Sequence, residues 1–342
     1  MRRRAPRPPE VSLSLAKRLG IAAGTLGSVA GLAYGAQRLA AARIRRSPDG
    51  DARRALDAPL YVDHRLPTHD RGTIYVVESG NELDPPIVLS HGVTLSVRTW
   101  VHQLEALPKE GFRTIAFDHR GHGRSVLGSE GHSLENLGRD VKTVLEGLDL
   151  RDAVLVGHSM GGVAVQSFVT RFPEVAADRV AGIVLLSTLA YTPFGSRSTR
   201  TKARLEQLTK HSPDAQWLWD SPNLGFLAAR VGFGEHPRPS HVELVRKMMG
   251  ECPSETRRDA PRVLIGLDLT GDLPHIRIPT LVVGGTADVL TPPFEARRRA
   301  GLIPGARLEL MHGGGHMLML ERTEELDRLI VDFARAVRTP AP

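Results

Sequence analysis

Residues 153–162, Ala-Val-Leu-Val-Gly-His-Ser-Met-Gly-Gly, give the strongest indication of the fold in this chain. The apolar start predicts a buried strand, and the small residues after it predict a sharp turn into a helix that begins at Met160. Such a turn crowds its own backbone, so glycine is needed two residues before and two residues after its centre, at Gly157 and Gly161. Ser159 stands at that centre, and we predict that it is a nucleophile.

Short apolar strands alternate with helical segments on both sides of this turn. The other predicted strands are 60–66, 73–79, 87–91, 113–118, 180–187, 279–284 and 307–311, and the main predicted helices are 133–148, 160–172 and 321–338. The first two strands flank a turn-rich stretch and are expected to pair antiparallel. The remaining alternation predicts an α/β protein with a mainly parallel sheet covered by helices on both faces.

A base and an acid follow the last two predicted strands. A serine hydroxyl is a weak nucleophile unless a base takes its proton and a carboxylate orients that base. Asp288 and His316 lie in loops at the carboxyl ends of parallel strands, where an open α/β sheet gathers its active site. We therefore predict Ser159, Asp288 and His316 as the catalytic residues. His312, at the strand end itself, is the weaker candidate for the base.

The end of the third predicted strand, His91-Gly92, is the second half of the expected site. The residue after such a turn can direct its backbone N–H at an oxyanion. Val93 and Met160 are thus the predicted oxyanion-hole donors. The residues expected to give structural support are His91, Gly92, Asp118, Arg120, Gly157 and Gly161.

Neither a cofactor nor a metal is expected. The sequence lacks a dinucleotide fingerprint, because Val126 stands where the third glycine after Gly121 and Gly123 would be required. No carboxylate shares a regular face with the histidines that a metal site would use, which are His119, His122, His312 and His316. A single cysteine, Cys252, excludes an intramolecular disulfide.

From about residue 59 to residue 338, the chain resembles the α/β-hydrolase family. Five separated motifs carry the resemblance in family order: His91-Gly92, Asp118-x-Arg120-Gly121-x-Gly123-x-Ser125, Gly157-His158-Ser159-Met160-Gly161-Gly162, Gly285-x-x-Asp288 and Gly315-His316. The resemblance implies an eight-stranded core, here residues 59–188 and 276–340. It also implies a serine nucleophile, an acid after the seventh strand, a base after the eighth and a helical cap inserted after the sixth.

Residues 189–275 interrupt the alternation where the family places its cap. This interval contains six of the sixteen aromatic residues, together with Met248 and Met249. Such residues can either build a small separate core or form a cap whose apolar underside lines a pocket.

The resemblance and the predicted triad favour a serine hydrolase that cleaves carboxylic esters through an acyl-enzyme. A small-molecule ester is the expected partner, and the aromatic interval favours apolar or lipid-like acyl groups. Three alternatives use the same site: an acyltransferase or thioesterase, a cofactor-free haloperoxidase, and a non-catalytic small-molecule binder. Since fold alone does not decide the reaction, they stay open here, as does the oligomeric state.

The basic charge of the chain is concentrated at its beginning. The formal net charge is +7, but residues 1–54 contain 12 basic and 3 acidic side chains, whereas the other 288 residues contain 33 and 35. The body is therefore near neutral, and we do not expect it to bind nucleic acid.

The uncharged stretch 19–37 predicts a membrane helix. It extends about 28 Å as a helix, roughly one hydrocarbon core. The expected arrangement is a basic tail over 1–18, a membrane helix over 19–42 and a linker over 43–58. Equal numbers of basic residues on the two sides leave the orientation undetermined. We expect a membrane-anchored protein; a cleaved signal peptide, giving a secreted protein, and a soluble tail are the alternatives.

Overall fold

The computed structural model describes residues 35–51, 62–192 and 216–338. The residues up to Arg46 and those from Ser47 onward form two separate compact units. In the first unit, residues 35–45 are helical. The second unit contains the sheet and the candidate site.

An eight-stranded sheet forms the centre of the second unit, with strand order β1-β2-β4-β3-β5-β6-β7-β8. Its strands are β1 (Val62–Pro67), β2 (Thr73–Ser79), β3 (Pro86–Ser90), β4 (Arg113–Phe117), β5 (Ala153–His158), β6 (Val180–Leu186), β7 (Thr280–Gly285) and β8 (Arg307–Met311). β1 pairs antiparallel with β2, and β2 with β4, whereas every other pairing is parallel. The predicted α/β fold with a mainly parallel sheet is confirmed.

Helices flank the sheet. They are α1 (Val101–Ala106), α2 (Leu134–Gly147), α3 (Met160–Arg171), α4 (Pro173–Arg179), α5 (Gln216–Asp220), α6 (Leu224–Arg230), α7 (Pro239–Glu251), α8 (Ser254–Asp259), α9 (Pro293–Leu302), α10 (Leu318–Glu321) and α11 (Thr323–Ala336). Short 3₁₀ helices occupy Val97–Trp100, Leu107–Glu110, Ala260–Leu264 and Leu273–His275. At the start of α2, the Ser133 hydroxyl accepts a hydrogen bond from the Asn136 N–H (3.0 Å), which is the usual arrangement of a helix N-cap.

Burial explains why the central strands are continuous apolar runs. Every residue of β3 and of β5 is buried, because helices cover both faces of the sheet there. The antiparallel edge strand β1 is mostly exposed or half-buried. The carboxyl ends of the parallel strands all lie at one edge of the sheet, so the loops that follow β3, β5, β7 and β8 are brought together.

Between β6 and β7, the structure describes four α-helices, α5 to α8, and the two 3₁₀ helices Ala260–Leu264 and Leu273–His275. Residues 193–215, about a quarter of the cap predicted over 189–275, lie outside the described residues. The cap as a separate domain stays a prediction.

The prediction of a membrane-anchored protein is wrong. Across residues 35–51, 62–192 and 216–338, every helix is too short or too polar to cross a bilayer. Residues 19–34 of the predicted membrane helix lie outside the described residues, as does the basic tail. An uncharged stretch rich in alanine and glycine has little hydropathy, so a lack of charge is weak grounds for predicting a spanning helix.

Candidate active site

Ser159 lies on the tight turn between β5 and α3. Its φ of 52° and ψ of −119° place it in a region that non-glycine residues rarely adopt. Two contacts hold this backbone: the Ser159 N–H donates to the Leu186 carbonyl (3.1 Å), and the Thr188 hydroxyl donates to the Ser159 carbonyl (2.6 Å). The predicted nucleophile is therefore held in a strained conformation at the end of a buried strand.

The glycines around Ser159 are required by close approach of neighbouring backbone. A Cβ atom on Gly161 would lie 2.2 Å from the carbonyl oxygen of Ser90, at the end of β3, and one on Gly157 would lie 2.6 Å from the Gly161 carbonyl oxygen. A Cβ on Gly92 would lie 3.1 Å from the Cβ of Ser159. The loop after β3 therefore packs directly against the predicted nucleophile.

Asp288 and His316 are brought into contact across the ends of β7 and β8. The His316 Nδ1–H donates to Asp288 Oδ2 (2.9 Å), and both side chains are buried. This orientation leaves Nε2 of His316 as the ring nitrogen available to a serine hydroxyl. The weaker candidate for the base, His312, is exposed.

Thr291 completes this pair and was not predicted. Its hydroxyl donates to Asp288 Oδ2 (2.5 Å), and the backbone N–H groups of Leu290 and Thr291 donate to Oδ1 (2.8 Å each). Burial by itself raises the pKa of Asp288, but the bonds from His316 and Thr291 outweigh it and lower that pKa below 3.8. The carboxylate is thus ionised in the pH range where an imidazole acts as a base. The spacing Asp-x-x-Thr, typical of a capped turn, was the available sequence signal.

The described residues that hydrogen-bond to the His316 ring are Asp288 and Thr291. A Ser159–His316 hydrogen bond, as a triad would have, is not formed in the structure and stays a prediction. Catalytic hydrogen bonds are often long before substrate binds, so this geometry is compatible with the predicted roles.

The predicted oxyanion donors belong to the turn that follows Ser159 and to the loop after β3. Met160 is the first residue of α3, and the first N–H groups of a helix have no acceptor within the helix. Val93 lies in the turn closed by the Leu95 N–H, which donates to the Gly92 carbonyl (3.3 Å). Their N–H groups stay the predicted donors.

His158 also positions His316, and it was not predicted. Its Nε2–H donates to the carbonyl oxygen of His316 (3.0 Å), and the two ring centroids are 4.7 Å apart. Burial lowers the pKa of His158 well below 6.5. It is therefore a neutral imidazole that holds the backbone of the predicted base.

Glu321, at the end of α10, holds the same loop from the other side and was also missed. Its carboxylate accepts hydrogen bonds from the backbone N–H groups of Gly315 (3.1 Å), Met317 (3.1 Å) and Gly234 (2.6 Å). Two of these donors flank His316, and the third lies between α6 and α7. Burial raises the pKa of this carboxyl group.

Glu321→Gln is expected to lower kcat/KM by about 10²-fold, since an amide offers one acceptor oxygen and misplacement of a catalytic group by about 1 Å has an effect of that size. The loss should appear mainly in kcat. Glu324→Gln, an exposed position three residues later, is the control in ester hydrolysis assays. Equal activities of the two variants would contradict the role of Glu321.

His91 and Asp118 link the loops after β3 and β4. The His119 N–H donates to Nε2 of His91 (3.0 Å), while the His91 Nδ1–H donates to the Gly92 carbonyl (2.7 Å). Burial lowers the pKa of His91 to about 4, so the ring is neutral. Asp118 accepts from the backbone N–H groups of Val97 (2.7 Å) and Arg124 (2.8 Å), and burial raises its pKa to about 6.

Arg120 lies at the centre of a buried charge network. It donates two hydrogen bonds of 2.7 Å to Asp140, one of 3.0 Å to Asp70 and one of 2.9 Å to the Gly131 carbonyl. All three charged side chains are buried. The two carboxylates come from positions far from Arg120 in sequence, so this network was missed.

Arg120→Met is expected to lower the free energy of unfolding by about 3–5 kcal/mol, because it leaves two buried carboxylates without their cation. Arg139→Met removes the exposed pair with Glu135 and should cost about 0.5 kcal/mol or less. Urea denaturation measures both variants. Similar losses would show that the buried network is not what stabilises this region.

Burial of His132 is expected to make the stability of the fold depend on pH. Both of its ring nitrogens are buried without a partner among the described residues, and burial lowers its pKa from 6.5 to about 4. Between these values the unfolded chain binds a proton that the folded chain does not, so the free energy of unfolding decreases as the pH falls. When the pH falls from 7 to 5, the free energy of unfolding of His132→Leu is expected to decrease by about 2 kcal/mol less than that of the unchanged protein.

Urea denaturation at the two pH values measures this difference. His236→Leu, at an exposed position, is the control. An unchanged pH dependence in the His132 variant would contradict the prediction.

Two groups of side chains in the described part of the chain have the spacing of a metal site: Asp51, His102 and His241, and the partly exposed His69, Asp70 and Glu130. Neither group contains a predicted catalytic residue.

Comparison with known proteins shows which family this chain resembles. A sequence profile described as "Alpha/beta hydrolase family" matches residues 87–329. The chain is 31% identical over 278 residues to the non-heme chloroperoxidase of Burkholderia pyrrocinia, covering 79% of this chain and 98% of that protein. It is 30% identical, with the same coverage, to a bifunctional esterase/perhydrolase of Acinetobacter calcoaceticus. An esterase structure from Thermogutta terrifontis is 26% identical with a TM-score of 0.67, covering 82% of this chain and 100% of that one.

Proposed function

Because the chain belongs to the α/β-hydrolase family, we propose that it hydrolyses carboxylic esters through an acyl-enzyme formed on Ser159. One observation carries the proposal: the buried Asp288–His316 pair, fixed by Thr291, lies in the loops beside a strained serine on a strand-to-helix turn. An ionised acid, an oriented imidazole and a serine held at a strand end are the parts that acyl transfer requires.

In the proposed mechanism, Nε2 of His316 takes the proton of the Ser159 hydroxyl while the serine oxygen attacks the ester carbonyl carbon. The Val93 and Met160 N–H groups stabilise the oxyanion. The intermediate collapses to the acyl-enzyme, and the alcohol leaves with the proton from His316. Water then attacks the acyl carbon and gives its proton to His316, which returns a proton to the Ser159 oxygen as the acid leaves. Asp288 stabilises the imidazolium in both steps.

Apolar side chains around the predicted base support an apolar ester substrate. Val289, Leu290 and Phe294, which follow Asp288, are exposed, and so is Val231. The Gly232 carbonyl accepts hydrogen bonds from the N–H groups of His316 (2.9 Å) and Met317 (3.2 Å), so the segment after α6 touches the loop of the base. We propose that residues 189–275 form a cap over this apolar surface. The lipid-like character expected from the sequence loses the support of a membrane anchor.

Hydrolysis of p-nitrophenyl acetate, butyrate and octanoate by the purified protein tests the proposal. We expect hydrolysis, with a higher kcat/KM for butyrate and octanoate than for acetate. A preference for acetate would contradict the apolar acyl group. No hydrolysis of any ester, combined with tight binding of an ester, would favour a non-catalytic binder.

The named activities of two relatives support a second proposed activity at the same site, perhydrolysis. Hydrogen peroxide would replace water in the second step, attack the acyl-enzyme and leave as a peracid, which can oxidise a halide. Titration of peracid during ester turnover in the presence of peroxide tests it. Ester hydrolysis without formation of peracid would contradict perhydrolysis and support esterase activity only.

A further inference from the structure

Two histidines and one aspartate converge outside the candidate active site. Asp51 precedes the sheet in sequence, His102 lies on α1, and His241 lies on α7. All three are buried. Nδ1 of His241 has no hydrogen-bond partner among the described residues, so Nε2 makes the polar contacts of this ring.

The distances between their facing atoms are those of a metal coordination shell. His102 Nε2 lies 3.2 Å from His241 Nε2, which lies 2.9 Å from Asp51 Oδ2, and the third separation, His102 Nε2 to Asp51 Oδ2, is 3.9 Å. A tetrahedral zinc ion with bonds of about 2.0–2.1 Å separates its ligand atoms by about 3.4 Å. The three separations lie on either side of this value.

The three facing atoms cannot all be joined to one another by hydrogen bonds. A proton on His241 Nε2 that is donated to Asp51 cannot point at His102 as well. A second proton on His102 Nε2 would face the first. A cation at the centre would use all three lone pairs at once.

We propose that Asp51, His102 and His241 bind one divalent transition-metal ion, with Zn²⁺ the best fit. Two imidazoles and one carboxylate suit zinc and disfavour Mg²⁺ and Ca²⁺, which prefer oxygen ligands. The bound ion ties the segment before the sheet to α1 and to α7. The site is independent of the proposed esterase activity.

Neighbouring polar groups hold the Asp51 carboxylate in place. Asp51 Oδ2 also accepts a hydrogen bond from Arg238, whose side chain is half exposed and forms an outer partner of the carboxylate. Asp49 adds a second negative charge and accepts bonds from the Ser240 N–H (2.6 Å) and hydroxyl (2.9 Å). Asp49 thus holds the segment that directs Asp51 at His241.

Titration of the metal-stripped full-length protein with Zn²⁺ by calorimetry tests the proposal. We expect one ion per chain, a rise in Tm on binding, and a Kd that increases at least about 100-fold in His102→Ala and His241→Ala. Asp51→Asn keeps the shape of the side chain and should weaken Zn²⁺ binding as strongly. This variant provides the test if the histidine variants fold poorly. Co²⁺ bound to the unchanged protein should show the intense visible bands of tetrahedral coordination.

Two control variants should bind Zn²⁺ as tightly as the unchanged protein. His236→Ala alters an exposed histidine five residues before His241, and His69→Ala alters the other group with metal-site spacing. The proposal is overturned if millimolar Zn²⁺ and Co²⁺ do not bind. It is equally overturned if binding survives in Asp51→Asn and His241→Ala, or is lost in His69→Ala instead.

Discussion

Ser159→Ala is expected to reduce kcat for ester hydrolysis by about 10⁴- to 10⁶-fold, because no other group in the predicted mechanism can form the acyl-enzyme. Covalent labelling by a fluorophosphonate probe should disappear in the same variant. The fold should persist, since the Ser159 hydrogen bonds in the structure use its backbone N–H and carbonyl.

Ser187→Ala is the matched control for this prediction. Ser187 lies at the end of the next strand, also has a positive φ (41°), and its buried hydroxyl has no partner among the described residues. Its removal should leave both activity and labelling unchanged. Labelling that survives in Ser159→Ala would assign the nucleophile elsewhere.

Asp288→Asn is expected to lower kcat by about 10⁴-fold, the loss known for the same change in another serine hydrolase. The amide can present its NH₂ to His316 and so favour the tautomer that cannot accept the serine proton. The charge that stabilises the imidazolium is lost as well. Steady-state kinetics measures the loss.

Two variants bracket this effect. Thr291→Val keeps the ionised carboxylate but removes one hydrogen bond to it, so we expect a loss of about 10-fold. Asp332→Asn, at an exposed position on α11, should have no effect. A full loss in His312→Ala, with activity retained in His316→Ala, would show that the weaker candidate is the base.

The order of the elements could be predicted from the sequence because its causes are local. A strand buried on both faces requires a continuous apolar run, and β5 is such a run directly before the glycines of the Ser159 turn. Asp288 and His316 could be selected because each lies in the loop after a predicted parallel strand. The predicted anchor failed because it rested on the length of the stretch and its lack of charge, whereas crossing a bilayer also requires sufficient hydropathy.

Only the tertiary structure determines the contacts between residues that are distant in sequence. Glu321 reaches the N–H of Gly234, Arg120 meets Asp70 and Asp140, and Asp51 meets His102 and His241. Sequence periodicity does not reveal such pairs, because in the sequence each partner looks like any other polar residue. Their common cause is burial: a charged or hydrogen-bonding group removed from water requires a partner, and the packing of the chain determines which one it meets.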